Sequence, residues 1–120
     1  MTWLNWIVIG GVLAAFLAIR RLGLISAAKA REHLKSGALI IDVRSPEEFQ
    51  SNHLAKAINI PLRDLRDTLP SRVKDKSQVL LLHCLSGGRS GIARHKLKSM
   101  GYPKVFNLGS LARARKIVER

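Results

Sequence analysis

The chain has 120 residues, a single cysteine and a formal net charge of +13. That length leaves room for one domain, the lone cysteine excludes an internal disulfide, and four histidines scattered singly (His33, His53, His83, His95) offer no zinc-site spacing. The cations alternate singly with acids, as in "RDLRD" and "KDK", with no basic stripe interleaved with aromatics, so nucleic acid is not the expected partner; anionic lipid or anionic substrates fit the same charge.

The first predicted element is "WLNWIVIGGVLAAFLAIRR", uncharged from Trp3 to Ile19 and ended by Arg20 and Arg21. As a helix those positions reach roughly 25 Å, at the short edge of what spans a hydrocarbon core of about 30 Å. It is read as a transmembrane anchor over residues 1–21, with Trp3 and Trp6 at one interface and the two arginines at the other. No basic stretch precedes it, which argues against a cleaved secretory signal. Arg20, Arg21, Lys29 and Arg31 all follow the span, so the soluble part is expected to face the cytoplasm, as a single-pass protein of the inner membrane. A reducing compartment also suits an unpaired thiol.

Residues 22–32 form a juxtamembrane segment and the start of a helix, "SAAKAREHLKSG", with Ser26 as N-cap and Gly37 as stop, and residues 33–120 the remaining domain. "ALIIDV" reads as a strand buried on both faces. "SPEEF" starts a helix with Ser45 as cap, Pro46 at the first position and Glu48 closing a capping box. A strand follows at "AINI", a short helix at "LRDLRDTL", a strand at "QVLLLHC", a helix from Ser90 to Met100 ended by Gly101, and a last strand at "KVFNL". Apolar strands alternating with helices predict an α/β fold with a parallel sheet, whose ligands gather at strand carboxyl ends.

Cys84 stands at such a junction, in "CLSGGRS". Gly87 and Gly88 allow positive φ, so successive N–H groups can turn inward as an anion nest, and the following helix adds the positive end of its dipole. Arg89, one residue before that helix, adds a full charge. These features lower a thiol pKa and leave the sulfur accessible in a small cradle. Asp42 and Arg44 read as a structural ion pair, His83 as a structural strand-end residue, and Glu47 and Glu48 as helix-start acids.

At these residues the chain resembles the rhodanese-like sulfurtransferases. "IIDVRSPEEFQSNHLAKAINIPL" is similar to that family's amino-terminal signature, "VLLLHCLSGGRSGIARHKLKSMGY" to its active-site strand, loop and helix, and "VFNLG" to its final strand. The resemblance implies a three-layer α/β fold around a central parallel sheet, here preceded by the transmembrane helix. It implies Cys84 as the nucleophile that takes a sulfane sulfur from thiosulfate or a persulfide and passes it to cyanide or a thiol, a protein thiol included. Leu85, Ser86, Gly87, Gly88, Arg89 and Ser90 match the loop around the persulfide; neither metal nor organic cofactor is implied.

Two other readings stand beside this one. Cysteine-dependent phosphatases that share the fold place arginine six residues after cysteine; here it comes at Arg89, five after, with Ser90 in the sixth place, a shorter ring that suits sulfur better than phosphoryl. The other is a catalytically idle rhodanese-like module that docks a partner at the membrane. The segment "NHLAKAINIP" lacks two glycines of the family pattern, at Asn52 and Lys56, and Ser110 with "LARARKIVER" replaces the family's second glycine and tryptophan, which leaves acceptor recognition open.

Overall fold

The computed structural model describes residues 2–119, the side chains of residues 19–22 excepted. In chain order it contains α1 (Trp3–Leu22), α2 (Ala27–Lys35), β1 (Leu39–Asp42), α3 (Pro46–Ser51), β2 (Ile58–Asn59), a 3-10 turn (Leu62–Asp64) running into α4 (Leu65–Arg72), β3 (Leu80–His83), α5 (Gly88–Ser99), β4 (Val105–Gly109) and α6 (Leu111–Val118). Local chemistry sets the helix starts. The Ser26 hydroxyl accepts the Lys29 N–H at 3.3 Å. Ser45 and Glu48 form the reciprocal capping box with Pro46 behind the cap, each satisfying a donor the first turn would leave bare.

The four strands are all parallel, in the order β2-β1-β3-β4. Successive strand residues point to opposite faces, yet Leu80, Leu81 and Leu82 are all fully buried, so β3 must be covered on both sides. On one side Leu80 and Leu82 join Leu65 and Leu69 of α4 and Ala93 and Leu97 of α5. On the other, Leu81 joins Ala30 of α2 and Ala114 and Ile117 of α6. The result is helix, sheet, helix, the three-layer α/β arrangement with a central parallel sheet. Each such leucine contributes about 1.5–3 kcal/mol relative to exposure.

Two features lie outside the expected pattern. Helix α6 is capped by the Ser110 hydroxyl, which accepts the Arg113 N–H at 3.0 Å, and buries Leu111, Ala114 and Ile117 at three-residue spacing. The interleaved arginines hide that stripe in the sequence. Gly23–Ile25 runs along the open edge of β4: the Asn107 N–H donates to the Gly23 carbonyl at 3.1 Å and the Ile25 N–H to the Asn107 carbonyl at 3.0 Å. This strap covers an edge that would otherwise present unpaired backbone groups.

Helix α1 forms as expected, with Trp3, Trp6, Ile9, Val12 and Phe16 exposed. The expected membrane crossing over residues 1–21 is not met: among the described residues no helix is long and apolar enough to cross a membrane. The side chains of Arg20 and Arg21, expected at the far interface, lie outside the described residues.

Candidate active site

Cys84 directly follows β3 and faces the start of α5, where a parallel sheet gathers ligands. Its N–H donates to the Gly109 carbonyl at 3.2 Å, Ser86 bridges Ser110 in antiparallel sense, and the Leu111 N–H donates to the Leu85 carbonyl at 3.3 Å. The loop is therefore stitched to the turn between β4 and α6. Gly87 makes the closeness tolerable: its φ is +98°, and a Cβ there would stand 3.3 Å from the Gly109 Cα. Gly88 differs from expectation, since its φ is not positive and a Cβ would meet open space. Helix α5 starts at Gly88, two residues earlier than expected.

The Gly87 N–H donates to the Cys84 Sγ at 2.9 Å, and the Ser90 hydroxyl stands 3.5 Å from the same sulfur. Burial pushes the thiol up, but the Ser90 hydroxyl and the amides of Ser90, Gly87 and Ser86 outweigh it, and the thiol lies below its ordinary value. The expected accessibility of the sulfur is not seen: Cys84 is 0% exposed, although Leu85, Ser86 and Gly88 of the same loop are exposed. Cys84 packs within the apolar cluster of β1, β3, α4 and α5, and its sulfur also has the polar contacts of Gly87 and Ser90, which separate it from a thiol packed only in hydrocarbon.

Arg89 departs from its expected role. It lies inside α5, and its guanidinium forms a two-pronged ion pair with Glu48, Nη1 to Oε1 at 2.7 Å and Nη2 to Oε2 at 3.0 Å. Glu48 is thus more than a helix-start acid. Its bond to Arg89, against the cost of burial and with help from Ser45, holds its carboxyl at about 2. Arg89 also borders a shallow groove of about 340 Å³ lined by Val43, Ser45, Pro61, Leu62 and Arg63.

Beneath the loop, Arg44 and Asp42 form the expected buried ion pair, with Nη2 at 2.8 Å from Oδ2 and exposures of 3% and 0%. His83 Nε2 stands 3.6 Å from Asp42 Oδ2 and makes no hydrogen bond among the described residues. Burial lowers the His83 pKa against the pull of Asp42, so the ring is neutral at pH 7, as a structural residue would be.

The structure thus brings Cys84, Gly87 and Ser90 into direct contact, with Ser86 contributing its amide; Leu85 and Gly88 form the exposed rim, and Arg89 is turned to Glu48. Sequence reasoning missed Glu48 as Arg89's partner and passed over Asn107. A polar amide inside the apolar run "KVFNLG" was the available signal, because a buried amide must find partners.

A family model described as Rhodanese-like domain matches residues 26–112. Thiosulfate sulfurtransferase PspE of Escherichia coli (strain K12) is 42% identical over 71 residues, covering 59% of this chain and 68% of that protein. Two further curated relatives are matched over only 19% and 55% of their length. Among solved structures, a rhodanese with anions from E. coli superposes with a TM-score of 0.62 at 39% identity, over 64% of this chain and 91% of that one. The human single-domain sulfurtransferase TSTD1 gives a TM-score of 0.67 at 26% identity, over 78% and 96%. With a family model covering most of its length and a parallel sheet that delivers one cysteine into a loop of amide donors, the chain belongs to the rhodanese-like domain family.

Proposed function

We propose that this sulfurtransferase carries sulfane sulfur as a persulfide on Cys84. The Cys84 thiolate attacks the outer sulfur of thiosulfate; the new S–S bond forms as the old one breaks, and sulfite leaves with the electron pair. An acceptor thiolate, or cyanide, then attacks the outer sulfur of the persulfide and restores the Cys84 thiolate. A persulfide donor enters the same way, with a thiolate as leaving group. The observation that carries this reading is the Gly87 N–H at 2.9 Å from Sγ, joined by the Ser90 hydroxyl. Both favour negative charge at that point, whether on the cysteine sulfur or on the sulfur it accepts. Donor entry needs the loop around Cys84 to open, since that residue has no exposed surface.

Thiocyanate formation from thiosulfate and cyanide tests the assignment: the full chain should turn over and Cys84→Ser should not. Activity surviving in Cys84→Ser would overturn it. The idle-module reading draws on one observation, the absence of exposed surface at Cys84; it expects no turnover in either protein. Release of phosphate from an aryl phosphate would instead favour the phosphatase reading.

We further propose that α1 attaches the domain to the cytoplasmic face of a bacterial inner membrane. Large apolar side chains project all round the helix, from Trp3 to Leu17, and Arg20, Arg21, Lys29 and Arg31 follow it. The chain should sediment with membranes, and Ile9→Lys with Leu13→Lys should release it; recovery of the unaltered chain in the supernatant would overturn the attachment.

A further inference from the structure

Asn107 lies in the middle of β4 with no exposed surface, and every polar atom of its side chain is engaged. Oδ1 accepts from the Ser90 hydroxyl at 2.7 Å and from the Gly109 N–H at 2.8 Å. Nδ2 donates to the Gly87 carbonyl at 3.1 Å. Its main chain is held on the other side by the Gly23–Ile25 strap. Between the pairs Leu82–Asn107 and His83–Gly109 the register of β4 on β3 slips by one residue, a bulge of the kind that re-aims a neighbouring side chain.

Two consequences for the sulfur follow from this placement. Gly87 sits at positive φ, and a peptide flip there would turn its carbonyl toward the sulfur and repel a developing anion. That carbonyl accepts the Gly91 N–H of α5 at 3.1 Å, and the Asn107 amide adds a second donor that holds it from the side of β4. Ser90 has one hydroxyl proton and three acceptors within reach: Asn107 Oδ1 at 2.7 Å, the Gly87 carbonyl at 3.2 Å and Cys84 Sγ at 3.5 Å. While the sulfur is neutral the shortest contact, to Asn107, holds the proton; once the sulfur is anionic the hydroxyl can swing to it, because Asn107 Oδ1 keeps its second donor, the Gly109 N–H.

We propose that Asn107 is a positioning residue for sulfur transfer: it fixes the Gly87 peptide and parks the Ser90 hydroxyl beside Sγ without touching the substrate. The proposal rests on Cys84 being the nucleophile. Its natural probe is Asn107→Leu, similar in shape and without polar atoms, in the full chain. The pH dependence of Cys84 alkylation by iodoacetamide reports the thiol directly, and thiosulfate kinetics separate kcat from KM.

The alkylation midpoint should rise by about one pH unit, which is about tenfold less thiolate below the midpoint. The kcat should fall by a similar factor while KM for thiosulfate stays within about twofold, since no contact to the donor is lost. Leu97→Ala, which only opens the core, should lower thermal stability and leave the midpoint in place. An unmoved midpoint in a folded Asn107→Leu protein would overturn the proposal. Should that protein not fold, Asn107→Ser takes its place: it adds no charge and its side chain is too short to keep the bond to the Gly87 carbonyl; it too should raise the midpoint, and an unchanged value would again overturn the role. A parent chain that acquires no sulfur on Cys84 sinks the nucleophile reading itself, whereas a persulfide in the parent with an unmoved variant midpoint sinks only Asn107.

Discussion

Glu48 and Arg89, 41 positions apart, meet beside the cysteine loop in a two-pronged ion pair of 2.7 and 3.0 Å. One carboxylate therefore does two jobs: it closes the capping box of α3 and clamps the first turn of α5. The guanidinium, spent on Glu48, is not the main source of the low thiol pKa; the Ser90 hydroxyl and the loop amides are.

Arg89→Ala should accordingly raise KM for thiosulfate several-fold, through the loss of a cation at the groove, while moving the alkylation midpoint of Cys84 less than Ser90→Ala does. Steady-state kinetics and iodoacetamide profiles of the two variants check this. A larger midpoint shift in Arg89→Ala would return the guanidinium to the sulfur.

The pair also sets an acid dependence. The Glu48 carboxyl lies at about 2 in the folded chain against 4.5 ordinarily, so its stabilisation is present above 4.5 and is lost as pH falls toward 2. Both side chains are about a third exposed, and solvent screening reduces the contribution to about 1 kcal/mol. Glu48→Gln should lower the urea midpoint at pH 6 and flatten its decline between pH 5 and pH 3; an unchanged decline would show that other carboxylates govern it.

Ser90→Ala removes the hydroxyl 3.5 Å from Sγ and leaves the Gly87 N–H in place. Burial then opposes fewer donors, and the thiol should titrate higher. The rate of alkylation at pH 7 should fall while the plateau rate at high pH stays the same. A profile that overlays the parent's would remove Ser90 from the set of stabilising donors.

Arg44→Met should be the most destabilising change below the loop. It leaves Asp42, with no exposed surface, without its main cation. Breaking a buried pair from one side costs about 3–5 kcal/mol, whereas Asp42→Asn with Arg44→Met should recover much of the loss. Chemical denaturation of the single and double variants measures both; additivity of the two changes would contradict the pairing.

What could be read from the sequence was local. Ser26, Ser45, Pro46 and Glu48 announce helix starts because a cap acts over three residues, and the leucines of β3 announce a doubly covered strand. Cys84, Gly87 and Ser90 could be gathered because they share one turn of chain. Long-range partners left no such mark: Glu48 finds Arg89 across 41 residues, and Asn107 finds Ser90 across 17. Helix α6 hid behind arginines between its apolar positions, and the seclusion of Cys84 depends on the turn at Gly109 and Ser110, which only the folded sheet brings near.

The central claim is that this loop makes Cys84 a sulfur carrier, and the mass of the intact chain after thiosulfate treatment tests it most directly. The account predicts a gain of one sulfur atom, localised to Cys84, absent from Cys84→Ser and discharged by cyanide. A chain that stays at its original mass in thiosulfate at neutral pH, while folded, would contradict it.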